Sequence, residues 1–276
     1  MAGWRKAAKA GLLGRRAYAE NTLNSYESYI KKYLAKYKLL TFSRVKSELA
    51  ECPADLPERR RGLYRSFVSF AKYLVMEEAL DKEFLEKALD KNFAPKPNPN
   101  PKQHVVSEED LPKLIAATKT LQERAMIMLM ANTGIRASEC CKLKLEDVDL
   151  EKQEIWVGEA KYDEARSLGF NDDTALAIRS YLDKERPKVK YDFVFLDKYE
   201  NPMRRDGLYQ RIARIAKKAG VYAYPHALRS RFVTYNLTMG RNPQDVQEAC
   251  GHKSILTTML YNRRRTQDRV DSMKNW

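Results

Sequence analysis

Apolar positions recur along this chain at two different spacings, and each spacing predicts its own element. From Thr22 onward, Leu23, Tyr26, Ile30, Tyr33, Leu34 and Tyr37 return at three- and four-residue steps, the repeat of one helix face. The same repeat runs from Pro57 to Met76 through Leu63, Phe67, Phe70 and Leu74, and a shorter one covers Lys82 to Leu89. The aromatic residues fall on the apolar faces, so they read as core rather than as a stacking surface for bases. Together these stretches predict a small all-helical domain over residues 17–91, with basic faces that include Arg59, Arg60 and Arg61.

The pattern breaks at Asn92–Gln103, NFAPKPNPNPKQ, with four prolines in twelve residues. Proline lacks the backbone donor and restricts its predecessor, so this is an extended linker, residues 92–104. A second domain, residues 105–276, follows. Ser107 is a good helix N-cap, with Glu108, Glu109 and Asp110 in the first turn and a Val106–Leu111 staple. An apolar helix covers Ala125 to Ala131 and stops at Thr133-Gly134, and another starts in Ile135–Glu139. The spacing then changes to alternation. Glu154–Val157 and Ala165–Phe170 predict two antiparallel strands around the polar turn Gly158–Glu164, with Lys161 in that turn. Helix returns at Asp172 to Lys184, and Phe193–Leu196 predicts a further strand or extended segment. The fold class is mainly α with a small antiparallel β-sheet in the C-terminal domain.

Composition narrows the partners. The 276 residues carry a net charge of +14, which points to nucleic acid or an anionic membrane. No apolar run approaches a membrane span and no signal peptide is visible, so the chain reads as cytoplasmic and DNA-associated. Residues 1–16 carry five basic residues and no acid, and read as a solvated, disordered tail that adds loose phosphate contacts. Arg204 to Arg231 holds eight Arg or Lys and one acid, Asp206, and reads as a DNA-facing surface. Cys52, Cys140, Cys141 and Cys250 form no C-x-x-C pair and read as reduced thiols. No carboxylate cluster suggests a metal, and no motif suggests a cofactor.

The chemistry gathers in His226–Tyr261. His226 and Arg229 stand at i and i+3 on one helix face, and Gly251-His252 presents an imidazole from a turn. Arg136 and Arg229 can each fork two donors onto phosphate oxygens, His226 and His252 can donate or move a proton, and Lys161 can protonate a leaving oxygen. Tyr261 can be the nucleophile. A cage of cations suits a phosphodiester transition state, whose charge builds on the non-bridging oxygens.

On these residues the chain resembles the tyrosine recombinases of the phage-integrase type, closest in layout to the Xer recombinases. Thr133-Gly134-Ile135-Arg136-Ala137-Ser138-Glu139 is similar to T-G-x-R-x-S-E, His226-Ala227-Leu228-Arg229 to H-x-L-R, and Gly251-His252 with Thr257-Thr258-Met259-Leu260-Tyr261 to G-H…T-T-x-x-Y. The turn Gly158–Arg166 departs from the family's G-K-G-x-K-x-R: it lacks the second glycine and carries one extra residue. The resemblance implies a two-domain, C-shaped DNA clamp. It implies that Tyr261 attacks the scissile phosphate to form a 3′-phosphotyrosine. Arg136, Arg229 and His252 then clamp the phosphate, Lys161 protonates the 5′-oxygen, His226 assists proton transfer and Glu139 orients the site. Its partner is double-stranded DNA with a specific recombination site, exchanged through a Holliday junction held by four copies. Two other classes remain open: a type IB topoisomerase-like enzyme and a catalytically idle DNA-binding relative. In the tail, 262–276, Val270, Met273 and Trp276 form one apolar stripe. Docking on its own subunit is at least as consistent with the stripe; the resemblance favours exchange with a neighbour.

Overall fold

The computed structural model describes residues 1–14, 17–53, 57–90, 93–96, 104–158 and 165–261. Internal contacts divide the chain into two compact units, Met1–Pro101 and Lys102–Trp276.

The first unit is helical: α1 (Ala2–Lys9), α2 (Glu20–Tyr37), α3 (Phe42–Glu51), α4 (Pro57–Met76) and α5 (Lys82–Leu89). The aromatic positions do pack inward. Leu23, Ile30 and Phe70 share one cluster, and Tyr33 and Phe67 lie in another with Val45 and Leu49 of α3. The periodicity of α3 is carried by those two residues, four apart, and was too sparse to predict that helix.

The expected disordered tail is wrong for the described residues 1–14. They form α1 and a turn, and the buried side chains of Trp4, Ala7, Ala8 and Leu13 join the core of α2 and α4. Trp4 donates its indole N–H to Ser69 Oγ at 3.1 Å. The basic charge that suggested a tail is met from elsewhere in the sequence: Arg5 bonds Glu27 at 2.5 Å, and also Glu20 and Asn24. A Trp4→Ala chain should therefore lose about 3–5 kcal/mol of stability in this unit, the usual cost of emptying a buried tryptophan site. Hydrogen exchange along α2 and α4 checks it, and unchanged protection there would mean that α1 is dispensable.

The second unit is built on α7 (Leu121–Thr133), an all-round buried helix held between α9 (Asp172–Lys184) and α11 (Pro225–Thr238). Around it lie α6 (Asp110–Ala116), α8 (Ala137–Lys142), α10 (Arg205–Ala219), α12 (Pro243–Cys250) and α13 (Ile255–Met259). Ser107 Oγ accepts from Asp110 N–H at 3.1 Å, but it closes a turn and α6 begins only at Asp110. Three strands form one antiparallel sheet in the order β1 (Val148–Asp149), β2 (Glu154–Val157), β3 (Arg166–Gly169). Ile155, Val157 and Leu168 face the core, while Trp156 points out. Phe193–Leu196 is extended, with isolated bridges from Phe193 to Lys144 and from Leu196 to Pro202.

The basic run Arg204–Arg231 is not one surface. Arg229 and Arg231 are buried, Arg214 pairs with buried Glu123 at 2.5 Å, and Lys218 donates to Ala117 O at 3.0 Å. Half of that charge is used within the fold. The four cysteines are free thiols, three of them buried. No helix of the described residues is long and apolar enough to cross a membrane.

Candidate active site

The site is assembled on the carbonyl end of α12. Gly251 adopts the left-handed conformation, φ +58°. Its N–H bonds Glu248 O at 2.8 Å and the His252 N–H bonds Gln247 O at 3.0 Å, the paired closure of a Schellman motif. That closure leaves the carbonyls of Ala249, Cys250 and Gly251 without helical partners. Three arginines take them. Arg166 Nε donates to Ala249 O at 2.7 Å, Arg229 Nη2 to Cys250 O, and Arg136 Nη2 to Gly251 O. Cations at a helix C-terminus also meet the negative end of its dipole. A Cβ at Gly251 would stand 3.1 Å from Arg136 Nη1 and 3.2 Å from Arg166 Nη1, so glycine serves both the turn and the close approach.

Each arginine comes from a different place. Arg136 immediately precedes α8, just after the turn that ends α7. Gly134 makes that turn at φ +65°, with Thr133 Oγ1 accepting from Ile135 N–H at 3.3 Å. A Cβ on Gly134 would come within 2.5 Å of Phe232 Cδ1. Gly134 O accepts from Arg229 Nη1 at 2.5 Å, so one guanidinium on α11 ties the end of α7 to the end of α12. Glu139 holds Arg136 twice, accepting from its Nη1 at 2.7 Å and its backbone N–H at 2.8 Å. Arg166 Nη2 reaches the same carboxylate at 2.9 Å. Burial would raise the Glu139 carboxyl, but the bonds from Arg166 and the Arg136 backbone outweigh it and hold the group below its ordinary value.

The histidines and the tyrosine close the other side. Pro225 and the extended Tyr224 start α11, placing His226 in its first turn and Arg229 one turn on. Tyr261 is buried, and its hydroxyl lies 3.3 Å from His226 Nε2. Its ring lies nearly parallel to the His252 ring, with centroids 6.3 Å apart. His252 Nδ1 meets the hydroxyl of fully buried Thr258 at 2.9 Å. When Thr258 donates in that bond, Nε2 carries the proton and is left to face a ligand. Arg136, Arg205, His226, Arg229, His252 and Tyr261 line one pocket of about 400 Å³. A larger hollow of about 620 Å³, bordered by Asn132, Lys152, Tyr235 and Arg241, contains none of these six.

The pocket is strongly cationic, and both histidines respond. Desolvation, then Arg229 and Arg136, push His252 down from 6.5 to about 4. Desolvation and then Arg229 lower His226 as well. Both imidazoles are therefore neutral near pH 7, and His226 can accept a proton. The stability consequence has a definite sign. Between pH 6.5 and about 4 the unfolded chain protonates His252 and the folded chain does not, so stability falls as pH falls through that window. Melting of the wild type should drop between pH 7 and pH 4.5, and less so in His252→Asn; equal drops in the two proteins would place the titration elsewhere.

Five of the six residues singled out in the sequence thus come together: Arg136, His226, Arg229, His252 and Tyr261. Lys161 lies outside the described residues, as do the rest of turn 159–164 and the tail 262–276. Sequence reasoning missed the roles of Arg166 and Thr258. Each was legible only as part of a motif, the last position of the hairpin pattern and the second threonine before Tyr261. Among the described residues, no group of three or more His, Cys, Asp or Glu side chains gathers to hold a metal ion.

Residues 104–268 match the profile of the phage integrase family, more than half of the chain. The chain belongs to the phage integrase family. Within it, the tyrosine recombinase XerA of Saccharolobus solfataricus is 35% identical over 156 residues, 56% of this chain and 50% of the relative. XerD of Listeria innocua is 34% identical over 170 residues, 57% of each. This integrase-family chain thus spans about half the length of those two relatives. A longer match, XerA of Pyrococcus horikoshii, is 27% identical over 251 residues, 88% of this chain and 83% of the relative. Among solved structures, the Tn1549 transposon integrase in complex with circular intermediate DNA has a TM-score of 0.70 at 20% identity, covering 99% of both chains. A lambda integrase dimer bound to a core site has a TM-score of 0.69 at 16% identity, covering 97% of this chain and 96% of that one. At such identities the likeness is one of fold: mainly helical, with a small antiparallel sheet, in the integrase manner.

Proposed function

We propose that this chain is a site-specific DNA recombinase that breaks and rejoins strands through a 3′-phosphotyrosine. The observation that carries the reading is the Tyr261 hydroxyl, 3.3 Å from His226 Nε2, in one pocket with Arg136 and Arg229. The Tyr261 oxygen attacks the scissile phosphorus and gives its proton to neutral His226. The bond from phosphorus to the 5′-oxygen breaks, and Lys161 supplies the proton that the leaving oxygen needs. Arg136, Arg229 and His252 Nε2 hold the non-bridging oxygens as their charge grows. Glu139 orients Arg136. The phosphotyrosine conserves the energy of the phosphodiester, so the reverse attack by a 5′-hydroxyl reseals the strand without ATP. Neither a metal nor a cofactor enters this scheme, because cationic side chains occupy the place of the ion.

The proposal extends to assembly. Four copies hold two DNA sites through a Holliday junction, and the tail 262–276 passes to a neighbouring copy and ties Tyr261 to its presence. The work is done on cytoplasmic double-stranded DNA. The relatives' names and the DNA in the solved integrase complexes support this reading. The test captures covalent protein–DNA adducts from fragmented DNA of the source organism, in excess EDTA, with the full chain and with one ending before Val270. The full chain should form adducts at discrete sites and recombine two of them; the shortened chain should bind single sites but recombine poorly. Cleavage strictly dependent on magnesium would sink the chemistry, and normal recombination by the shortened chain would sink the tail exchange.

A further inference from the structure

Glu139 creates a difficulty for this site. It fixes the Arg136 guanidinium from one side at 2.7 Å and its backbone N–H at 2.8 Å. A carboxylate so close to a phosphate-binding cation cancels that cation's charge and repels the phosphate itself. The group is not diluted by solvent either, since the Glu139 side chain is only 18% exposed. Arg166 answers the difficulty. Its Nη2 takes Glu139 Oε2 at 2.9 Å, from the side away from Arg136 Nη1, and its side chain is 13% exposed. It cannot drift from that position. Its Nε is fixed on Ala249 O at 2.7 Å, and its backbone pairs with Val157 at the mouth of the β2–β3 hairpin.

We propose that Arg166 is the counter-charge of Glu139: it allows the carboxylate to orient Arg136 without neutralising it, so that the triad keeps one net positive charge for the phosphate. Arg166 is then a positioning residue, which acts on the phosphate only through Glu139 and Arg136. A single carboxylate between two arginines gives more than either pair alone. Arg136 receives its geometry from Glu139, and its charge is left for the ligand. The same contacts tie the hairpin that carries Lys161 to the helix end that carries His252. The inference rests on the recombinase reading for its reaction, but its first test does not need that reaction.

The first test titrates inorganic phosphate into the full chain and follows the His252 imidazole signals by NMR. Arg166→Gln keeps the length and a donor but removes the charge. It should weaken phosphate binding about tenfold or more, as expected for an uncompensated carboxylate in a half-buried site. Adding Glu139→Gln to it should restore most of that loss, although it removes a second native contact. Arg166→Lys keeps the charge and should bind phosphate within about threefold of wild type, since a point charge suffices for compensation. A merely structural Arg166 predicts the opposite pattern: additive losses in the double variant and a poor lysine variant. Either result overturns the proposal, and the lysine arm decides it even if Arg166→Gln fails to fold.

The second test measures covalent adduct on a cleavable site. Arg166→Gln should be slow on both an ordinary site and one with a 5′-bridging sulfur, whereas Lys161→Ala should be rescued by the sulfur. Rescue of Arg166→Gln by sulfur would assign its defect to the leaving-group acid and overturn the counter-charge role. If phosphate binding behaves as expected but wild-type protein forms no adduct, the recombinase reading fails and the counter-charge stands. If adducts form but the phosphate pattern is absent, the counter-charge falls alone.

Discussion

A Tyr261→Phe chain is expected to bind its DNA site with wild-type affinity and to form no covalent adduct at all. The substitution removes one oxygen and nothing else. Tyr261 is buried among Val233, Leu237, Val246 and Cys250, and the phenylalanine ring fills the same space. The lost contact with His226 is a single bond at 3.3 Å, worth at most about 1 kcal/mol of stability. The chemical consequence is not graded in this way. Without the hydroxyl no neighbouring group on this chain stands in the same position to attack, and cleavage falls to background rather than by a modest factor. Gel shift measures the binding and denaturing electrophoresis the adduct. A residual adduct in the phenylalanine variant would mean that the nucleophile lies elsewhere, for instance among the hydroxyls of Thr257 or Ser138 that border the same pocket.

The parts of the fold that sequence made legible are those whose pattern is local. α9 repeats apolar residues on one face between an Asn171 cap and Lys184, and its bounds match the prediction. The β2–β3 hairpin alternates cleanly, so its register follows from which residues must face inward. The parts that were not legible depend on partners distant in the chain. α1 looks like a solvated basic arm until Arg5 is seen to find Glu20 and Glu27, and Trp4 to find Ser69, 65 positions away. The run Arg204–Arg231 looks like one DNA-binding face until Arg229 and Arg231 turn inward. The site divides in the same manner. Side chains that do chemistry announce themselves by type and spacing, as His226 and Arg229 do. The scaffold that aims them consists largely of backbone carbonyls at the end of α12, and a carbonyl has no sequence signature. Gly251 is the one letter that points to it, because only the left-handed turn there exposes all three acceptors.

That scaffold makes a conservative change at Arg229 costly, and Arg229→Lys is expected to be the most damaging charge-preserving substitution in the site. Arg229 is 4% exposed, and its two terminal nitrogens donate to carbonyls on different elements, Gly134 O at 2.5 Å and Cys250 O. A planar fork satisfies both at once, and its remaining N–H groups stay directed at the pocket. A lysine ammonium is a single point on a flexible stem. It can serve one carbonyl and abandon the other, or serve the phosphate and abandon both. A buried acceptor left unpaired costs about 1–3 kcal/mol, so the variant should unfold at lower denaturant with an unchanged slope. Cleavage should fall further, by about 10²–10³, the usual loss when one donor to a developing oxyanion is removed. Binding of a single DNA site should change far less, because one phosphate contact is a small share of a salt-dependent interface. The decisive comparison is therefore between the adduct rate in a single turnover and the gel-shift affinity of the same protein. If Arg229→Lys cleaves within about threefold of wild type while folding normally, then charge alone is what the phosphate needs at this position, and the forked attachment of α7 to α12 has no part in the chemistry.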